Sequence, residues 1–582
     1  MRMTASKPKP APPAAPSLLR EQYIRLAEGL PSPASLSLGA VAERLCCGER
    51  NARLLLARMQ AQTWLSWTPS RGRGRLSTLT LHQDPGALRV LQLQQLLEDG
   101  RVEAAFRGLP PAARSRVKQA LPAFLGASPG GGLRMPFYRP LHALDPIHVT
   151  RRTEAHMVSQ LCERLSAYDL TSESIVPALA HHWESREDGR CWRLWLRPGL
   201  RFQDGRPLRA RDAAASLLRL RDTAGPHRAL MSHLQDIACK GQRLDLQLLS
   251  PDHLLPHRLA HHACAILPEG DWARPDFTQL PIGAGAFRLL RNNEHRATLQ
   301  AFEGYWGIRP LLDQIDLWVV PAGSAMPAVD IKLGQQSTQA HPGQQKRWQV
   351  LQQAEQGCDF VLLKPSRPAF ATAAARCAIG HWLRSHVAGT TPGTRFRPAR
   401  AWLPAWQHLL RPDPRPPAAP PLPRQLLMFT YELDEHIALA RRVIEACEAA
   451  GSSVRLEVVS APEFAAGVWH GPADLVVAGE VLGDDMEFGQ YSALSGEAGF
   501  HAWLPPALRK SLATICRATA AEALPAQRLA AMESAFRRLA LAGAFLPMRH
   551  VLQQLTHAPE LGGVALARCG WMDFRKLWLP GA

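Results

Sequence analysis

Cys46-Cys47-Gly48-Glu49-Arg50-Asn51-Ala52-Arg53, followed by Ser66-Trp67-Thr68-Pro69-Ser70-Arg71-Gly72-Arg73-Gly74-Arg75, decides the reading of the first part of this chain. Ahead of the Cys46-Cys47-Gly48 turn, Leu38, Val41, Ala42 and Leu45 recur at the spacing of one helical face, and behind it Ala52, Leu55, Leu56 and Met59 do the same. This spacing predicts two short amphipathic helices crossed around a tight turn at about residues 38–61. With those faces buried, Arg50 and Arg53 fall together on the other side beside Glu49 and Asn51, at the end of the helix that meets base edges in a DNA reader. Arginine reads guanine bidentately and asparagine reads adenine. Beyond Trp64 and Trp67, expected to pack under a small sheet, a Gly-Arg-Gly-Arg tip between two strands forms a hairpin. Its Arg71, Arg73 and Arg75 suit phosphate or minor-groove contacts. The expectation is a winged helix-turn-helix over residues 18–82, with double-stranded promoter DNA as its partner.

The distribution of charge agrees. The 582 residues carry a formal net charge of +18, and residues 1–134 alone hold 19 Lys+Arg against 8 Asp+Glu. More than half of the positive excess therefore sits in under a quarter of the chain, as counterion-releasing DNA binding requires. Residues 1–17 are basic and proline-rich and are expected to form a disordered arm. They contain no apolar core of an export signal, and no run of 18 residues is apolar enough to span a bilayer, so a cytoplasmic location without membrane contact is expected. The 11 cysteines show no CxxC pair or zinc-finger spacing, which fits reduced thiols. Breaks fall at residues 128–132, 334–346 and 412–423, and residues 83–132 read as a helical connector.

From Leu133 onward short strands alternate with helices, the pattern of an α/β protein. Leu144-Asp145-Pro146, Ile175-Val176-Pro177-Ala178-Leu179-Ala180, Trp192-Arg193-Leu194-Trp195-Leu196-Arg197-Pro198-Gly199 and the Phe202-Gln203-Asp204-Gly205 turn follow in order. Further on come Pro281-Ile282-Gly283-Ala284-Gly285-Ala286-Phe287, Phe302-Glu303-Gly304-Tyr305-Trp306-Gly307 and Gly570-Trp571-Met572-Asp573-Phe574. In order and spacing this run resembles the oligopeptide/nickel class (family 5) of extracytoplasmic solute-binding proteins. The resemblance implies a two-lobe, type II periplasmic-binding-protein-like Venus-flytrap domain over residues 133–582, with lobe 1 at about 133–321 and 545–582 and lobe 2 at about 322–544. Such lobes close on a ligand by hinge motion.

A DNA-reading head before such a domain resembles the SgrR-type transcriptional regulators, matched locally at Arg50, Arg53, Gly72-Arg73-Gly74, Phe137-Tyr138-Arg139-Pro140-Leu141 and Gly570–Phe574. That resemblance implies an activator of a small regulatory RNA gene in sugar-phosphate stress that represses its own gene, with RNA polymerase as a partner and a small metabolite, a sugar phosphate among the candidates, as effector.

Tyr138 and Arg139, which follow the first strand of the domain, are the expected cleft residues, with Asp484. Peptide-binding members hold the ligand's amino terminus with an aspartate, but here Ala478-Gly479-Glu480-Val481-Leu482-Gly483-Asp484-Asp485 displaces it and puts Glu480 where a tryptophan is usual. His257, His261, His262 and Cys264 place imidazoles at i and i+4, but without an HExxH motif no metal site is expected. Asp484, Asp485 and Glu487 are the one obvious carboxylate cluster. No Walker loop, GxSxG elbow or GxGxxG motif occurs, so neither catalytic residues nor a cofactor is expected. The competing reading is a peptide- or solute-binding component of an ABC-type transporter without a regulatory role.

Overall fold

The computed structural model describes residues 16–70, 76–85, 132–137, 139–319, 330–333, 348–387, 396–410, 420–497, 499–568 and 570–580. The chain divides into two units, one of residues 1–127 with 320–328 and one of residues 128–319 with 329–582. Among the described residues no helix is long and apolar enough to cross a membrane.

In the first unit the order is α1 (Pro16–Ala27), β1 (Ala34–Leu36), α2 (Leu38–Arg44), α3 (Glu49–Ala61), β2 (Leu65–Thr68) and β3 (Ser77–Leu81). The strands form an antiparallel sheet in the order β1-β3-β2. The periodic residues of the sequence supply its core: Val41, Ala42, Leu45, Ala52, Leu55, Leu56 and Met59 are buried together with Tyr23 and Leu26 of α1 and with Leu65 and Leu79 of the strands. The Tyr23 hydroxyl donates within reach of both the Trp64 carbonyl (3.0 Å) and the Gln83 carbonyl (2.7 Å), pinning α1 to the ends of the hairpin. α1 begins at Pro16, a residue whose fixed φ suits the first helical turn, so the last two residues of the arm expected over 1–17 belong to a helix. The wing tip with Arg71, Arg73 and Arg75, most of the connector, and residues 1–15 lie outside the described residues.

The turn between α2 and α3 is a Schellman closure. The Cys46 amide donates to the Glu43 carbonyl and the Cys47 amide to the Ala42 carbonyl, each at 3.0 Å. Cys46 takes the left-handed position, at φ 51°, where glycine is usual.

The second unit contains two four-stranded sheets and one large sheet. Strand Gly132–Phe137 runs parallel to Gln314–Val319 at the edge of an otherwise antiparallel sheet. The other small sheet orders Ala180–Arg186, Cys191–Leu196, Arg243–Leu248 and Leu234–Lys240. Two motifs of the sequence meet between them. Gln203 donates to the carbonyls of Leu161 (2.7 Å) and Phe287 (2.6 Å) and accepts from the Gly283 amide (3.0 Å). A Cβ at Gly283 would overlap the Leu161 carbonyl, and one at Gly285 would lie 2.5 Å from the Gln160 carbonyl oxygen. The glycines thus let this strand start against the end of helix Arg152–Leu161.

The large sheet runs Ile331–Leu333, Leu546–His557, Gly357–Leu363, Leu475–Val481, Gln425–Tyr431, Ser453–Val459. Gly357–Leu363 is buried at every position, and the one charge in it, Asp359, is paired with Arg549 (2.7 Å) and His436 (3.2 Å). Helix Asp434–Ala449 makes the crossover between the parallel strands Gln425–Tyr431 and Ser453–Val459.

The return of the chain does not follow the expected boundary at residue 545. Strand Leu546–His557 belongs to the large sheet, where it pairs with Gly357–Leu363 and Gln349–Ala354. Its Leu546 and Met548 lie in the core of that sheet, whereas Leu555 lies in the core around Leu133 and Met135. A 12-residue strand is long enough to leave one core and enter the other, so one element serves both lobes.

Candidate nucleic-acid interface and ligand cleft

α3 presents one face to the core and the other to solvent. Ala52, Leu55, Leu56 and Met59 are buried, and Glu49, Arg50, Asn51, Arg53, Leu54, Ala57 and Arg58 are exposed. Among the described residues neither Arg50 nor Arg53 engages a hydrogen bond or ion pair, so both guanidinium forks are available. Glu49 is placed differently: a Cβ on Gly39 would meet its Oε1 at 3.5 Å, so its carboxylate lies against the first turn of α2. The sequence reading missed Leu54, which is 59% exposed on the same face. An apolar side chain there suits a thymine methyl. Its signal was present, since it falls outside the buried spacing of its neighbours. Arg44 braces the pair, donating to the carbonyls of Leu26 (3.3 Å) and Glu28 (3.0 Å).

In the second unit Tyr138 lies outside the described residues. Arg139 is not an open anion fork. It donates to both oxygens of the buried Glu154, at 2.6 and 3.1 Å, and the His142 amide adds a third bond at 2.9 Å. Burial pushes the Glu154 carboxyl up, but Arg139 and this amide overcome it and hold the group below its ordinary value. The neighbouring cations pair with carboxylates far along the chain: Arg151 with Glu432 at 3.2 Å and Arg152 with the buried Glu355 at 2.6 Å. Both stand at the N-terminal end of helix Arg152–Leu161.

The carboxylates near residue 485 are likewise committed. Asp485 caps helix Met486–Ser492 by accepting from the Phe488 amide (3.0 Å), and its other oxygen meets His257 Nδ1 at 2.7 Å. Glu487 pairs with Arg528. This cluster is therefore a set of braces rather than an acid/base pair. Asp484 is partly buried, and its carbonyl faces Arg568 at 3.5 Å. Arg258 donates to the Tyr491 hydroxyl at 2.9 Å, a buried bond within the core that holds both segments. Glu480 is a different case: burial pushes its carboxyl up to about 7, with only the Arg152 charge pulling the other way.

The imidazoles regroup. His257, held by Asp485, does not join His261; His227, 34 residues before His261 in the chain, does. One ring nitrogen from each of His227, His261 and His262 lies within 4.8 Å of the other two. Burial lowers the basicity of all three, that of His262 to about 3, so the rings are neutral at neutral pH.

Residues 18–130 match the family described as sugar transport-related sRNA regulator N-term, and residues 174–383 match bacterial extracellular solute-binding proteins, family 5 middle. The chain is similar to the HTH-type transcriptional regulator SgrR of Salmonella typhi, with 30% identity over 574 residues, 96% of this chain and 98% of that one. The protein of the same name from Yersinia pestis (strain Pestoides F) is 29% identical over 583 residues, 97% of this chain and 98% of its own. Among solved structures, NikA from Brucella suis in complex with Fe(III)-EDTA superposes with a TM-score of 0.63 at 18% identity, covering 78% of this chain and 100% of that one. The Escherichia coli murein tripeptide binding protein MppA gives 0.61 at 19% identity, covering 77% and 98%. The α/β fold with a periplasmic-binding-protein-like domain, expected from the motif order, is the fold found.

Proposed function

Because the chain belongs to the SgrR family of HTH-type transcriptional regulators, we propose that it binds promoter DNA in the cytoplasm through α3 and the wing, and that a small metabolite held between its lobes sets that binding. The observation that carries the reading is the solvent face of α3, where Arg50, Asn51, Arg53 and Leu54 stand exposed above a fully packed core. Arg50 and Arg53 supply guanine-reading forks, Asn51 an adenine reader, and Arg71, Arg73 and Arg75 phosphate contacts. In this reading the protein activates a small regulatory RNA gene under sugar-phosphate stress by engaging RNA polymerase, and represses its own gene.

The effector is a sugar phosphate. Its dianion requires arginine forks or helix-terminal amides; Arg139 and Arg152 are held by the buried Glu154 and Glu355, so Arg151, whose partner Glu432 is exposed, and the amides of the helix it precedes are the proposed contacts. Tyr138 and Asp484 remain proposed contacts for the sugar. Ligand binding favours one lobe arrangement and so changes DNA affinity, by about 1–3 kcal/mol in couplings of this kind.

Promoter and scrambled duplexes titrated with the full chain, with and without a hexose 6-phosphate, test both halves. Arg53→Ala is expected to weaken promoter binding by about 1–3 kcal/mol and leave scrambled DNA nearly unchanged. Equal losses on the two duplexes contradict base reading by α3. Promoter affinity that ignores every sugar phosphate removes the effector assignment and leaves the DNA reading standing.

A further inference from the structure

Three imidazoles that no role in DNA reading or lobe closure uses converge from separate segments of the second unit. His227 precedes the short turn Arg228–Leu230, and His261 and His262 follow helix Leu255–Leu259. The ring centroids of His227 lie 5.1 Å from His261 and 5.0 Å from His262, and those of His261 and His262 are 4.1 Å apart. Two of the rings are oriented by one backbone oxygen. His227 Nε2 and His262 Nε2 face the Val149 carbonyl at 2.6 and 3.0 Å, and a carbonyl only accepts, so both carry the proton on Nε2. Their Nδ1 lone pairs are thereby fixed in place. A carbonyl that receives the distal N–H of an imidazole is the usual device that sets tautomer and ring direction for a metal ligand. The aromatic ring of Phe488 stands edge-on to His261, 6.3 Å between centroids, and forms an apolar wall.

We propose that His227, His261 and His262 form a three-imidazole site for a late first-row divalent metal ion, with zinc, nickel or copper(II) as its class of ligand. A three-nitrogen set with a further open position is a known tetrahedral zinc arrangement, whose bonds of ~2.0–2.1 Å hold the nitrogens roughly 3.4 Å apart. The 4.8 Å cluster must contract to bind, so the rings turn inward and their bonds to the Val149 carbonyl adjust with them. His261 has one adjustment to make. Its Nδ1 accepts from the Ala263 amide at 3.2 Å, so coordination through Nε2 shifts its proton and gives up one hydrogen bond. Arg164 contributes a positive field at His261 and His262. That field opposes any divalent cation alike, and it is the all-imidazole donor set, without a carboxylate, that excludes magnesium or calcium and suits the ions whose bonds to imidazole are strongest. The site stands on residues of the second unit alone, so it does not rest on the proposed DNA reading.

The test is calorimetric titration of the metal-stripped full chain with ZnCl2 and NiCl2, together with the visible spectrum of the cobalt(II)-loaded protein. Expected are one ion per chain, d–d bands of a nitrogen-ligated four- or five-coordinate ion, and a loss of affinity of at least tenfold in His227→Gln and in His262→Gln. His257→Gln, whose ring is tied to Asp485, is expected to keep the parent affinity. Thermal unfolding identifies any variant that fails to fold, and the cobalt spectrum of the parent chain stands independently of all variants. Absence of stoichiometric binding at micromolar metal, a cobalt spectrum of an octahedral oxygen-ligated ion, or equal affinity in parent, His227→Gln and His262→Gln overturns the proposal.

Discussion

At the scale of single residues, conformation and burial at two positions make opposite demands on sequence. Cys46 occupies the left-handed corner of the α2–α3 turn at φ 51°, a conformation that costs a side chain about 1–2 kcal/mol. Glycine removes that strain but brings a larger unfolded-state entropy. Cys46→Gly is therefore expected to slow amide hydrogen exchange in α2 and α3 by an amount equivalent to at most about 1 kcal/mol. Faster exchange would show that the thiol contributes packing that outweighs its strain. Glu480 illustrates the second demand. Burial raises its folded-state pKa from 4.5 to about 7, so the folded chain prefers the neutral acid. The penalty is absent below the unfolded value and grows as pH rises from 4.5 through 7. Glu480→Gln is thus expected to raise stability at pH 8 by on the order of 2 kcal/mol and to have no effect at pH 4, measured by denaturant unfolding at both values. A pH-independent difference would place the effect in packing instead of charge.

Secondary-structure elements were legible where local spacing alone decides the outcome. The apolar faces of α2 and α3 follow from their period, and the exposure of Arg50, Asn51 and Arg53 follows from those faces. The glycines of Gly283-Ala284-Gly285 were legible as a motif, and the structure supplies the reason: a strand that starts against a helix end leaves no space for a Cβ. Gly357 is the corresponding position in the large sheet, where a Cβ would overlap the Glu480 carbonyl of the neighbouring strand. Gly357→Ala is expected to cost about 1–3 kcal/mol or more, since backbone must move to admit the methyl, and equilibrium unfolding of the full chain measures it. A cost below about 0.5 kcal/mol would show that the strands separate freely at this point. What spacing did not disclose is partnership. Arg139 meets Glu154 15 residues away and His257 meets Asp485 228 residues away, and only the folded chain brings such partners together. For the same reason the sequence suggested His257 beside His261, on one helical face, whereas the structure breaks that helix after Leu259 and brings in His227. α1 was illegible because its buried face is short, and Tyr23 contributes through a hydroxyl that no apolar period registers.

For the whole second unit, the two lobes share strand Leu546–His557 and one continuous apolar core, and a small number of polar ties also cross between them. Arg152 to Glu355 and Gln553 to Glu355 sit beside the shared strand and fix its path. His257 meets Asp485 and Arg258 meets Tyr491, contacts between the two lobes that lie against their shared core. Removing Arg258 itself would leave the buried Asp252 without its cation, a loss that confuses folding with closure. Tyr491→Phe removes only the oxygen that accepts from Arg258, and Asp485→Asn keeps the cap on helix Met486–Ser492 while it neutralises the partner of His257. Each change is expected to withdraw about 0.5–1.5 kcal/mol from the closed arrangement. Combined they shift the open-to-closed ratio by roughly 5–150-fold, provided the two ties act independently. Small-angle scattering of the double variant is then expected to give a larger radius of gyration than the parent chain, and saturating effector is expected to restore the parent value at a cost in apparent affinity equal to the same shift. A scattering profile unchanged by the double substitution would mean that the apolar surfaces between the lobes hold them closed without these ties. The ligand would then have little open population to draw upon, and a sensor built on lobe closure would need its signal to arise elsewhere in the chain.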